Sequence, residues 1–168
     1  MVARVDITVN DAEIASALGR AAAATRDLTS LMDQIGASLV ASTQFRFETA
    51  RGPVGVPWKR SARAASVGGQ TLVDSGRLRA SITHRPSSDR VEVGSNLVYA
   101  GVHQLGATIR AKTSKGLRFR IGDKFVVRRQ VTIPARPFLG VDAEDRAEIV
   151  AITTDWLRDR LARGGGQA

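Results

Sequence analysis

The sequence predicts an α+β protein in which a long N-terminal amphipathic helix and a C-terminal helix pack on a small antiparallel sheet, with an extended basic hairpin or arm. Three observations carry that expectation. Apolar residues recur at helical spacing near both ends of the chain. Short period-two segments bounded by turn residues occupy the middle. The basic residues gather in that middle instead of spreading evenly.

"ARVDITV" alternates apolar and polar residues and reads as a short strand, with Val5, Ile7 and Val9 on one face. Asn10 then offers an N-cap with Glu13 three residues on, and the pattern is helical to about Thr49. Ile14, Leu18, Ala21, Leu28, Leu31, Met32, Ile35 and Leu39 form its apolar stripe, with Arg26–Asp27 and Gly36 as the places for a bend or break. Residues 51–71 are rich in Pro, Gly, Ser and bases and read as a long loop that is functional or ordered by a partner. "LVDSGRLRASI" resumes a helix capped by Asp74 or Ser75, with Leu78 and Ile82 one turn apart. Residues 82–95 form two strands joined by the turn residues Pro86–Asp89. Val98, Val102 and Leu105 lie at helical spacing, and Gly106 stands where a helix-ending glycine belongs. "LRFRI" and "KFVVRRQVTI" then make an extended hairpin or flexible arm over residues 107–132, closed by the stiff "IPARPF". The last helix starts at Asp142, buries Ile149, Ile152, Trp156 and Leu161, and frays at residues 164–168.

A chain of 168 residues is expected to form one domain, residues 1–168. No run approaches a membrane span, and the first residues lack the pattern of a secretory signal, so synthesis in the cytoplasm is expected. The absence of cysteine excludes disulfides, thiolate metal sites and Cys nucleophiles, and two histidines, His84 and His103, make a His-rich metal site unexpected. No cofactor is expected. The formal charge is +9. Residues 51–90 hold eight bases against two acids and residues 107–130 eight against one, while both ends of the chain are mildly acidic. Such a middle suggests contact with nucleic acid or an acidic protein neighbour. An Arg- and Ala-rich coding bias would raise the charge too, but does not explain the clustering.

Chemistry-bearing residues are few. A hydrolase would need a nucleophile, a base and an orienting acid, for which Ser75 or Ser81, His103 and Asp74 are the candidates. No G-x-S-x-G elbow surrounds either serine, paired carboxylates are missing, and neither "GPVG" nor "GGGQ" has the context of a phosphate loop. The sequence therefore reads as a non-enzyme. Phosphate contact, independent of base sequence, is available to Arg110, Lys112, Lys115, Arg118, Arg120, Lys124, Arg128 and Arg129. The competing reading is a solvated hairpin whose charges block edge-to-edge pairing. Only Phe119 and Phe125 lie among these bases, too few for a stacking platform.

Four segments occur in a fixed order: "GVPWKR" (55–60), "LVDSGRLRASI" (72–82), "VEVGSNLVYAGVHQLG" (91–106) and "IPARPFLGV" (133–141). Together they resemble the virion morphogenesis, or tail-completion, proteins of Mu-like tailed bacteriophages. The residues that carry the resemblance are Trp58, Gly76, Leu78, Tyr99, His103, Gln104, Gly106, Pro134, Arg136, Pro137 and Phe138. It covers residues 52–168 and implies structural roles for these positions. It also implies a virion protein of the head–tail neck, a tail terminator or connector that completes the tail and joins it to the head. The implied partners are further copies of itself in a ring, expected to be hexameric, the tail tube, the head connector and the double-stranded DNA in the lumen. Leu105 replaces the family's usual aromatic and is expected to be a core substitution. A basic nucleic-acid-binding accessory protein is the alternative, and a hydrolase using His103 comes third. On physical grounds His103 and Gln104 are expected to hydrogen-bond backbone groups and fix the direction in which the arm leaves.

Overall fold

A computed structural model describes residues 27–164. The expected strand at residues 3–9, the Asn10 cap and the first half of the N-terminal helical pattern lie outside the described residues, as does the tail from 165 onward. In chain order the elements are α1 (Thr29–Thr49), α2 (Ala62–Val67), α3 (Arg77–Ala80), β1 (Ile82–Pro86), β2 (Val91–Ser95), α4 (Ala100–Leu105), β3 (Ala107–Arg110), β4 (Leu117–Ile121), β5 (Lys124–Arg128), β6 (Gln130–Ile133) and α5 (Ala143–Gly164). The protein is α+β. Its strands make three antiparallel two-stranded ribbons, β1–β2, β3–β6 and β4–β5, where the sequence suggested a single small sheet.

α1 is the spine. Asp27 accepts hydrogen bonds from the backbone N–H (2.9 Å) and hydroxyl (2.6 Å) of Thr29, which satisfies a donor that the first helical turn would leave unpaired. From there the helix runs unbroken through Gly36, so the bend expected at that glycine does not occur. Gly36 has a different reason. A Cβ there would stand 2.4 Å from His84 Cδ2 and 2.8 Å from Val91 Cγ2, so the missing side chain lets the β1–β2 ribbon lie directly on the helix. The register pairs His84 with Val93 and Pro86 with Val91, and the turn between the strands falls where the sequence put it.

Two apolar clusters sit along this spine. At its N-terminal half Leu31 and Ile35 meet Trp156 of α5, with Met32, Leu39, Ile149 and Ile152 half-buried around them. The stripe of α5 stops there, because Leu161 is 46% exposed. The C-terminal helix packs chiefly on α1, with Val91 of β2 at the edge of the same cluster. At the other half Phe47 joins Trp58, Leu78, Ile82, Ala100 and Phe138. Phe47 and Phe138 are fully buried, with ring centroids 5.3 Å apart, and Trp58 meets Phe47 edge-on at 5.4 Å. Each such ring contributes about 1.5–3 kcal/mol by leaving water.

Trp58 also changes the reading of residues 51–71. The segment is packed against the body of its own chain. A turn closed by Gly52 and Val56 delivers Trp58 into the core, and Ser61 caps α2 by accepting from Ala64 N–H at 3.1 Å. The helix expected over residues 72–82 is short: residues up to Gly76 form turns, and Ser75 Oγ accepts from Arg77 N–H at 3.4 Å. Leu78 and Ile82 are still buried together. In α4 the apolar spacing misleads. Val98 is 97% and Leu105 79% exposed, so Leu105 is a surface residue and not a core substitution.

The second ribbon, β3–β6, rises from the end of α4, and β4–β5 continues beyond it after the loop 111–116. Its tip turns back onto the body: a Cβ on Gly122 would stand 2.9 Å from Val67 Cγ1 of α2.

Replacing Gly36 by Ala separates helix propensity from close approach. Propensity alone would stabilise the helix by about 1 kcal/mol. Collision with His84 and Val91 reverses the sign, and a loss of about 1–3 kcal/mol is expected in urea unfolding. The loss should shrink in a His84→Ala background. A stabilised single variant would show that the ribbon does not press on Gly36.

Candidate functional site

The four sequence segments that carry the family resemblance meet on one stretch of backbone, the irregular strap of residues 134–142 between β6 and α5. The strap has no strand partner, yet it passes through the core, and buried peptide groups without partners would be costly. Side chains satisfy them. Gln104 donates to Leu139 O at 2.9 Å while its Oε1 accepts from Phe138 N–H (2.9 Å) and Leu139 N–H (3.0 Å). Trp58 Nε1–H donates to Pro137 O at 2.8 Å. Arg136 N–H donates to the carbonyl of His103 at 2.7 Å, and its Nε–H to Lys59 O at 2.7 Å. Arg46 donates to Phe138 O (3.2 Å) and Gly140 O (2.8 Å).

Arg46 does more than this. It is 5% exposed, and its other terminal nitrogen binds Asp142 at 2.9 Å and also the buried Asp145. The two aspartates cap α5 reciprocally: Asp145 N–H donates to Asp142 Oδ1 (2.9 Å) and Asp142 N–H to Asp145 Oδ2 (3.0 Å). The hydrogen bond from Asp145 N–H, followed by those from Arg46, holds the Asp142 carboxyl below its ordinary value. Sequence reasoning saw the caps and missed Arg46. The signal was present, since Arg46 follows Ile35 by eleven residues, three helical turns on the buried face.

Gly106 sets the base of the ribbon. Its φ is +75°, and a Cβ there would lie 2.7 Å from Ala135 N, so both its conformation and the passing strap require glycine. Gly76, also at φ +75°, precedes α3. Pro134 opens the strap next to Ile133, which pairs with Ala107. Gln104 bonds backbone groups, but those of the strap at Phe138 and Leu139. His103 does so through its carbonyl, whereas its buried Nδ1 has no hydrogen-bond partner among the described residues. Its ring stands edge-on to Tyr99, centroids 6.1 Å apart.

Of the residues nominated for hydrolysis, Asp74, Ser75 and His103 line one recess, but among the described residues no hydrogen bond links them. Ser81 Oγ is engaged with Leu78 O (2.7 Å) and Ser95 Oγ (2.7 Å), and Asp74 lies beside Arg63 at 3.6 Å. No group of three or more His, Asp or Glu suited to a metal ion occurs among the described residues. Nor, among these, is any helix long and apolar enough to cross a membrane.

The eight bases at residues 110–129 are all exposed along the two outer ribbons. Arg118 and Arg120 share a face of β4–β5 with Phe125 and Val127. Arg120 is occupied, donating to Gly122 O and Asp123 Oδ1, both at 2.7 Å. Arg110, Lys112, Lys115, Arg118, Lys124 and Arg129 have no ion-pair partner among the described residues.

The body is thus closed by side-chain clamps and bears an exposed basic ribbon. The chain belongs to the phage virion morphogenesis family, whose model matches residues 9–158. It is 34% identical over 155 residues to the Mu-like prophage FluMu G protein 2 of Haemophilus influenzae, covering 92% of this chain and 96% of that protein. No solved structure matches.

Gln104→Ala should cost about 2–4 kcal/mol, because Phe138 N–H, Leu139 N–H and Leu139 O lose their partner together. Gln104→Glu is the sharper test. At neutral pH its carboxylate cannot donate to Leu139 O, whereas a protonated carboxyl can. Repulsion between its facing oxygen and Leu139 O in this half-buried site outweighs the two N–H donors on the other oxygen and raises the folded-state pKa, so the variant should gain stability relative to wild type as pH falls from 7 to 5. A pH-independent difference in urea unfolding would show that the Leu139 O contact contributes nothing.

Proposed function

We propose that this chain is a structural subunit of the head–tail neck, which completes the tail and joins it to the head as part of a homo-oligomeric ring around the DNA channel. The observation that carries the reading is the exposed ribbon of residues 107–133, whose bases, apart from Arg120, have no ion-pair partner among the described residues. A ring that turned these ribbons inward would line its lumen with positive charge facing the passing phosphates. Family membership supports a part in virion morphogenesis, and the side-chain-clamped strap supports a building block in place of a catalyst. The proposed neighbours are further copies, six to a ring, together with tail-tube and head-connector proteins.

Electron microscopy of particles from a deletion mutant tests this. Full heads separated from finished-length or overlong tails are expected; normal virions would refute the neck role. The ribbon has its own test. Replacing Arg118, Arg120, Arg128 and Arg129 with Gln should reduce DNA retention in particles and flatten its dependence on salt. If the isolated protein binds duplex DNA tightly while deletion leaves virions intact, the nucleic-acid-binding accessory reading takes its place.

A further inference from the structure

Beside the strap lies a recess of about 330 Å³ between the 61–78 segment and α4. Its walls include Leu72, Leu78 and Tyr99 on the apolar side, and Arg63, Arg77, His103 and Arg136 on the polar side. Arg63 is already engaged, donating to Gln70 O at 2.5 Å and Val73 O at 2.8 Å and lying beside Asp74. The other cations are not. Arg136 is 5% exposed, yet among the described residues only its Nε is bonded, and no carboxylate faces it. Arg77, exposed at the mouth, has no side-chain partner among the described residues, nor does the buried His103 Nδ1 at the floor. The one acid in the wall, Asp74, is exposed and turned to Arg63.

A guanidinium removed from water without a counter-charge is unfavourable, and protein interiors ordinarily pair it. Burial holds Arg136 below the ordinary arginine value. Burial, and then the charge of Arg136, hold His103 below the ordinary 6.5. Both shifts reflect burial, and that of His103 also the positive charge of Arg136 beside it.

We infer that this recess is a receptor for a carboxylate side chain presented by a neighbouring protein. The planar forks of Arg136 and Arg77 suit the two oxygens of a carboxylate. Leu72, Leu78 and Tyr99 suit the methylene stem that carries it. A phosphate on a duplex fits poorly, because it stands on the outside of a stiff cylinder whereas Arg136 lies below the protein surface. That the carrier is a virion neighbour rests on the neck reading; that the recess takes a carboxylate does not.

The chain has two histidines, so proton NMR of the ring C–H signals reports the site with an internal control. Butyrate, which copies a glutamate side chain, acetate and inorganic phosphate would each be titrated against chloride at constant ionic strength. Butyrate should saturate the His103 response more tightly than acetate and raise its pKa by about one unit or more, as a nearby opposite charge does. His84, beside Asp33 on the far ribbon, should not respond. Arg136→Gln should abolish the response. Arg77→Gln changes only an exposed residue, so it keeps the test open if the first variant fails to fold, and it should weaken butyrate at least about tenfold. A non-saturating change, equal movement of both histidines, or saturation by phosphate alone would overturn the carboxylate receptor. In phage, Arg77→Glu should block particle formation and Arg77→Lys preserve it. Normal plating of Arg77→Glu alongside an intact butyrate response would remove the neighbour and leave the receptor.

Discussion

The guanidinium of Arg46 is the point on which the rest of the fold depends. It leaves the buried face of α1 and reaches four acceptors: two carbonyls of the strap and the two carboxylates that cap α5. The spine is thereby held to the strap and to the start of α5, which lie more than ninety residues further along the chain. Desolvating such a network is costly, and an apolar replacement of all its members could be equally stable. What an apolar cluster would not supply is direction. Strap, helix start and spine each present fixed hydrogen-bonding groups, and only one arrangement satisfies all of them. Removing Arg46 alone would strand Asp145, which is 6% exposed, and such losses run to about 3–5 kcal/mol.

Gln104 and Trp58 extend the same logic outward. Because Gln104 takes both N–H groups and a carbonyl from Phe138–Leu139, the strap is anchored to α4. β3 begins directly after Gly106 and β6 ends at Ile133, so both roots of the basic ribbon leave from this anchored point. The ribbon thus inherits its position from hydrogen bonds made below its base. Trp58, bound to Pro137 O, draws the 51–71 segment against the strap, and the recess beside Arg136 is the space left between them. The clamp that closes the core also shapes the surface.

Periodicity made the regular parts of this fold legible. The α+β class, the β1–β2 turn, the Asp142 cap and the helix-ending role of Gly106 all follow from local rules that the tertiary structure obeys. The errors share a cause. Val98 and Leu105 kept helical spacing but face water, because α4 is too short for a stripe and is held by Gln104 instead. Gly36 read as a breaker, since a sequence does not show the ribbon lying upon it. Arg46 was overlooked because a charged side chain is presumed to be solvated, and its partners lie far along the chain. The motif residues were located through family resemblance; the physical work they do became visible only when the strap placed their partners opposite them.

Two kinds of cation result, and physics separates their uses. Those on the ribbon are exposed and bathed in counterions, so at physiological salt their fields fade within about 8 Å. They cost little to leave unpaired and suit a partner that is charged, extended and indifferent to register. Arg136 is largely buried beside the recess, where salt screens it less than on the ribbon. It favours one anion in one geometry. A protein that must meet both a uniform polyanion and specific neighbours would need both kinds, on different faces. The strap serves both, since its one end roots the ribbon and its Arg136 lines the recess.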